Sequence, residues 1–286
     1  MSLLQLGHSG GPGALPEIDR LTPGQVGANI ATLVHRNLLK FYRNRQLLLL
    51  SIVQPLTNMM LFAYVFNNVA RIPGVAYRDY VIPGVLTQAV MVAAMRTGVA
   101  VSHDSSSGMN DRLRSLPIAR SAALVGRTIS DTIRISVQTA VLAAIAVIFV
   151  GFQFQFGALR AVASIGAIAL FGLAVTSFAA WVGLTSRDPE AAQTMLITPT
   201  LPLVFGSSGF APIDQMPGWL QAFARVNPVT SVVDLSRHLA VGGDLLTPFV
   251  HYALWTGGIT ILFTYLGVRR YQRPDPDQRR SPRRVA

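Results

Sequence analysis

Charge is scarce in this chain, so the polar residues that interrupt its apolar runs draw attention by their spacing. Arg127, Asp131 and Arg134 recur at i, i+4 and i+7, which puts them on one helical face and lets Asp131 pair with either arginine. Gln54, Pro55 and Asn58 break a second apolar run: the proline removes a backbone hydrogen bond and bends a helix, while the two amides need partners other than lipid. Both helix-helix hydrogen bonding and a substrate path satisfy that need. Arg96 stands inside a third run, where it snorkels to the interface, pairs with a neighbouring helix or lines a path. Gln54, Asn58 and Arg96 are therefore the candidate cavity residues. Between two apolar runs the segment NDRLRSLPIARS, residues 110–121, offers another polar cluster. Ser105 to Ser107 suit a helix cap, Met109 and Leu113 form an apolar edge at i, i+4, Arg112 and Arg114 present charge, and Pro117 ends the element.

The spacings that catalysis requires are missing. A phosphate-binding loop of the form GxxxxGK[ST] needs a lysine after glycine, and the only lysine is Lys40, preceded by Leu39. There is no HExxH, and GSSG at 206–209 lacks the frame of a nucleophile elbow. His8, His35, His103, His238 and His251 show no metal-ligand spacing, and the absence of cysteine removes disulfides, thiolate metal sites and cysteine nucleophiles. The reading is a non-enzyme with no cofactor or metal of its own.

The elements that position these residues are set by lipid. The chain of 286 residues is 51% apolar and 13% charged, against about a quarter charged in soluble proteins. A membrane helix needs about 20 apolar residues. Six windows qualify, at approximately Leu47–Phe66, Tyr80–Val101, Ile135–Phe152, Ala161–Leu184, Ala191–Phe210 and Pro248–Val268. Eighteen of the 24 lysines and arginines fall on the side that holds both termini and the segment 110–121, which makes that side cytoplasmic. The net charge of +11 is thus a matter of topology, with no basic patch that suits nucleic acid.

Residues 1–21 read as a flexible cytoplasmic tail, and no signal peptide precedes the first span. Residues 22–45 form an amphipathic interfacial helix, opened by Thr22, Pro23 and Gln25, with Ile30, Leu33, Val34, Leu38 and Phe41 on its apolar face. The six-span domain occupies 46–268, and 269–286 is a basic cytoplasmic tail. Between spans five and six, residues about 207–245 are too apolar for a solvated loop and too rich in Pro and Gly for a span. Short re-entrant or interfacial helices are expected there, around Pro217–Arg225 and Val229–Leu239, with Trp219 and Phe223 as interface anchors. Pro199 and Pro202 are expected to interrupt the preceding helix, and Ala169, Gly172, Thr176 and Ala179 give span four a small-residue contact face.

Two stretches carry a family resemblance: HDSSSGMNDRLRSLPIARSAALVGR and FGSSGFAPIDQMPGWLQAFARVNPVTSVVDLSR. With the amphipathic leader and six spans, they resemble the membrane subunit of ABC-2 type exporters, and most closely the daunorubicin-resistance DrrB-type permeases. In the outer segment Ser208, Gly209, Pro212, Met216, Pro217, Trp219, Asn227, Pro228, Asp234 and Arg237 fall where that family shows its SG, P, (L/M)P, W, NP and D..R pattern. His103 and Asp104 depart from it, since many relatives carry a more acidic pair there.

The resemblance implies an all-α integral membrane protein of the ABC-2, or type V exporter, fold, in a cell inner (plasma) membrane. It implies a coupling helix at about 103–118 in which Met109, Arg112, Leu113, Arg114 and Pro117 dock on an ATPase. It implies as partners a separate DrrA-like ATPase subunit, which binds ATP and Mg, and a second permease, either DrrC-like or a copy of this chain. The substrate classes implied are hydrophobic drugs of the anthracycline type or complex lipids such as phthiocerol dimycocerosates. A polysaccharide-exporting ABC-2 permease is the near alternative. An ion-driven secondary transporter is the distant one, disfavoured because no Asp or Glu falls at the centre of a span and no inverted repeat is evident.

Overall fold

The computed structural model describes residues 45–66, 75–107 and 120–272, and the described residues are helical with no strand among them. The expected tail at 1–21, the expected amphipathic helix at 22–45 apart from Arg45, the expected docking residues Met109 to Pro117 and the expected basic tail from 273 lie outside the described residues.

Helix α1, Arg45–Met60, contains Pro55 and continues as a π-helical turn, Leu61–Val65. Helix α2 spans Tyr77–Ser106, and α3 spans Arg120–Ile145 followed by a π turn, Ala146–Val150. Gly151 closes α3 at φ 74°, a left-handed conformation that glycine adopts without steric cost. Helix α4, Gly157–Thr185, and α5, Pro189–Phe205, follow. Two shorter helices, α6 at Gly218–Val226 and α7 at Pro228–Val241, precede the last, α8 at Leu246–Gln272. Among the described residues four helical stretches are long and apolar enough to cross a membrane: Tyr77–Ser106, Val125–Val150, Gly157–Thr185 and Leu246–Tyr271. Helices α1 and α5, at 16 and 17 residues, are shorter.

Helix starts follow cap chemistry. Asp188 accepts from Ala191 N at 2.7 Å with Pro189 next, and Asn227 accepts from Val229 N at 2.9 Å with Pro228 next. Each cap satisfies an orphan N–H, and each proline sits where its missing N–H costs nothing. Asp244 accepts from Leu246 N at 3.1 Å at the start of α8. That backbone hydrogen bond, with a further one from the Thr247 side chain, holds the Asp244 carboxyl below the usual range.

Helix α4 is the hub, packed against α2, α8, α3 and α7 in decreasing extent. Its small residues explain why. Ala169, Gly172, Thr176 and Ala179 are all buried, and a methyl group on Gly172 would lie 3.1 Å from both Ile135 of α3 and Val90 of α2. Gly183 packs against the carbonyl of Gly98, and Gly98 against that of Ala179, closely enough that neither position has room for a side chain. Helix α8 is the opposite case: Leu254, Ile261, Leu262 and Tyr265 point outward as a lipid-facing surface.

One expectation needs correction. Helix α5 runs unbroken through Pro199 and Pro202, with the Thr198 and Thr200 hydroxyls donating back to the Thr194 and Leu196 carbonyls at 2.8 and 2.7 Å. Ser105 and Ser106 form the last turn of α2, where Ser106 Oγ donates to His103 O at 3.1 Å and Ser107 Oγ to Asp104 O at 3.3 Å. Of the two arginines on its face, Asp131 pairs with Arg134, at 3.2 Å, and Arg127 reaches across to Asp104 of α2.

Candidate functional site

Helix α5 ends at Phe205, and a tight turn over 206–211 brings Ser208 and Gly209 against the start of α2 and the middle of α7. Arg237 organises this junction. Its Nη1 donates to Asp234 Oδ1 at 2.9 Å, Nη2 to Ser208 O at 2.8 Å and Nε to Tyr80 O at 3.3 Å, while the guanidinium lies 3.7 Å from the Tyr80 ring centroid. Ser208 Oγ donates to the same Asp234 oxygen at 2.6 Å, and Tyr80 OH donates to Ser208 O at 2.9 Å. Ser208 N donates to Thr230 Oγ1 at 3.2 Å, so the turn is held by α7 at two levels. Asn227 holds the other strand of the turn, donating from Nδ2 to Leu203 O at 2.7 Å and to Gly206 O at 3.2 Å. Gly84 of α2 packs directly on the Gly209 backbone, an approach that a side chain at Gly84 would prevent.

The structure thus joins Ser208, Gly209, Asn227, Asp234 and Arg237 of the outer motif, with Pro228 opening α7 beside them. Pro212, Pro217 and Trp219 stay apart: Pro212 leads into a 3-10 turn, Ile213–Gln215, Pro217 precedes α6, and Trp219 is 75% exposed. Tyr80, Gly84 and Thr230 complete the junction and were not singled out from sequence. The first two lie more than a hundred residues from the motif and carry no local signal. The hydrogen bonds named here all join one protein group to another, so the junction acts as a clamp between α2, the turn and α7.

Gln54, Asn58 and Arg96 sit together as well. A cleft of about 10 Å³ between α1 and α2 is lined by Gln54, Pro55, Asn58, Val85, Gln88, Ala89 and Val92, room for about one water. Arg96 Nη2 stands 3.5 Å from Gln54 Oε1, about two turns along α2 from Gln88, whose buried Oε1 has no partner among the described residues. Gln88 is the polar residue that the sequence reading missed.

Nearer the segment 108–119, ion pairs cross-link α2 and α3. Asp131 accepts from Thr97 Oγ1 of α2 at 2.8 Å and pairs with Arg134, which also reaches Ala93 O of α2 at 3.4 Å. Arg127 pairs with Asp104, the residue at which the sequence departs from the expected acidic pair. These links bracket the segment from both of its ends.

A family model described as ABC-2 type transporter matches residues 28–240. The chain belongs to the ABC-2 type transporter family. This makes it a multi-pass membrane protein of a transport family. Among its relatives, the daunorubicin resistance ABC transporter permease protein DrrB1 of Streptomyces coeruleorubidus is 28% identical over 252 residues, covering 87% of this chain and 89% of that one. A probable doxorubicin resistance ABC transporter permease protein, DrrC of Mycobacterium tuberculosis, is 26% identical over 74% of this chain and 76% of its own length. The doxorubicin resistance permease DrrB of the same organism is 31% identical over 66% of this ABC-2 chain and 65% of its own.

Proposed function

We propose that this ABC-2 protein is the membrane-spanning permease subunit of an ATP-driven exporter of hydrophobic molecules, either anthracycline-type drugs or complex apolar lipids. The observation that carries the reading is its similarity, over nearly the full length of both chains, to a drug-resistance permease. ATP is hydrolysed by a separate subunit, and a second permease, a copy or a sibling, completes the transport path.

In this reading α1 and α5 also cross the bilayer, giving six spans. The π turn lengthens α1 to Val65, and α5 reaches about 25 Å at 1.5 Å per residue. Helices α6 and α7 form the re-entrant outer segment, and both termini lie in the cytoplasm of a cell whose inner (plasma) membrane holds the protein. Residues about 103–118 take the push of ATPase closure. The Asp104–Arg127 and Thr97–Asp131–Arg134 links support this, since they make α2 and α3 move as one body when the segment between them is displaced. The cleft at Gln54, Asn58, Gln88 and Arg96 belongs to the substrate path, closed in this conformation.

Purification of the tagged chain from its native membrane in mild detergent tests the reading. Recovery of a P-loop ATPase whose activity depends on this chain is the expected result, and recovery of the chain alone favours the ion-driven transporter. Within the complex, Leu113→Asp uncouples transport from ATP hydrolysis without preventing insertion. Unaltered transport in that variant removes Met109, Arg112, Leu113, Arg114 and Pro117 from the docking surface.

A further inference from the structure

A groove of about 520 Å³ opens between α4, α7 and α8, walled by Ala163, Gly166, Ala167 and Leu170 on one side and by residues such as Leu239 and Phe249 on the other. Its lining is almost wholly carbon. The one polar side-chain group of its wall is closed off, since the Tyr252 hydroxyl donates to Ala167 O at 2.9 Å. Helices α4 and α8 are both candidate spans, so the groove faces the hydrocarbon of the bilayer.

Its mouth is marked by charge. Arg160 precedes Ala163, Ala167 and Leu170 at i, i+3, i+7 and i+10, one stripe of α4 that runs from a cation down into the trough. The guanidinium lies 4.7 Å from the Phe156 ring centroid, and Phe156 in turn packs on Gly242 at the end of α7, across the mouth. Among the described residues Arg160 has no carboxylate partner, whereas Asp104, Asp131 and Asp234 each have an arginine. An anionic group on a flexible apolar chain fits both the cation and the trough.

We propose that this groove binds one acyl chain of a bilayer phospholipid, with Arg160 holding the lipid phosphate at the mouth. The occupant is a structural lipid of the bilayer, bound on a surface separate from the α1–α2 cleft, and the proposal stands whether or not that cleft carries substrate.

The test is photolabelling of the full chain, with its co-purifying partners, in nanodiscs doped with a phosphatidylethanolamine whose acyl chain carries a diazirine. Adducts are expected to concentrate on 163–170 and 246–252 relative to Ile261 and Tyr265 on the outer face of α8. Gly166→Leu fills the trough, and its Cβ meets nothing within 4 Å, so the fold tolerates it. This variant removes the groove adducts and leaves those at Ile261 and Tyr265. Arg160→Gln lowers groove labelling about fivefold, the change expected for one basic side chain at a headgroup. Diacylglycerol with the same chain, lacking phosphate, labels the groove weakly and is indifferent to Arg160→Gln. Adducts spread evenly over α8 and unmoved by Gly166→Leu would overturn the site. Diacylglycerol labelling equal to that of the phospholipid would overturn the role of Arg160. Protection of the groove by a co-purified polypeptide would assign it to a protein and overturn the lipid.

Discussion

Arg237 satisfies three acceptors and an aromatic face from a largely buried position, and Asp234 is the group that balances its charge. Asp234→Ala leaves that cation unpaired and also frees Ser208 Oγ. A loss of roughly 2 kcal/mol is expected, between the values for exposed and fully buried pairs, measurable as a lowered thermal midpoint of the purified chain. Asp234→Asn keeps an acceptor and loses less. Asp244 is sensitive to pH at the start of α8. Its folded carboxyl titrates below the unfolded value, so its contribution is present above the unfolded pKa and is lost as pH falls through the folded one. The protection factor of the Leu246 amide, the unstructured exchange rate at the same pH divided by the observed one, should therefore fall in acid, and Asp244→Asn should remove that dependence. Both residues illustrate what sequence carries at this scale. Asn227-Pro228 and Asp188-Pro189 announce helix starts through local cap chemistry, whereas Tyr80 and Gly84 gain meaning only from a turn far along the chain.

At the scale of elements, the glycine contact of α2 with α4 sets how closely the bundle closes. Gly183→Leu has no space against the Gly98 backbone, so the helices must separate. Overpacking of this kind costs about 1–3 kcal/mol. Reduced yield of folded protein in detergent is the expected readout, with Gly257→Leu, whose added carbon meets nothing within 4 Å, as the control. The small-residue face of α4 was legible because helical periodicity exposes it. The course of α5 was not: proline reads as a break, and the passage of the helix through Pro199 and Pro202 has no local signal in the sequence.

The whole molecule is sorted between a packed interior and a lipid face. Its lack of cysteine gives a clean background for single-cysteine probes. In the proposed topology Gln215→Cys reacts with an impermeant maleimide in intact cells, whereas Ser281→Cys reacts only after permeabilisation. Equal reactivity of the two from outside would invert or break the six-span arrangement. Cysteines at Leu254 and Ile261 should resist the impermeant reagent from either side and accept a lipid-soluble one.

The central place of α4 has a consequence for how the protein is made. A membrane chain leaves the ribosome in order, yet the helix that α2 and α3 pack against is encoded after both. At about 5–20 residues per second, Gly98 waits roughly 4–17 s for Gly183 to be synthesised. During that interval Thr97, Asp131 and Arg134 already hold one another, so α2 and α3 leave the translocon with their charges matched and only their small-residue surfaces unfilled.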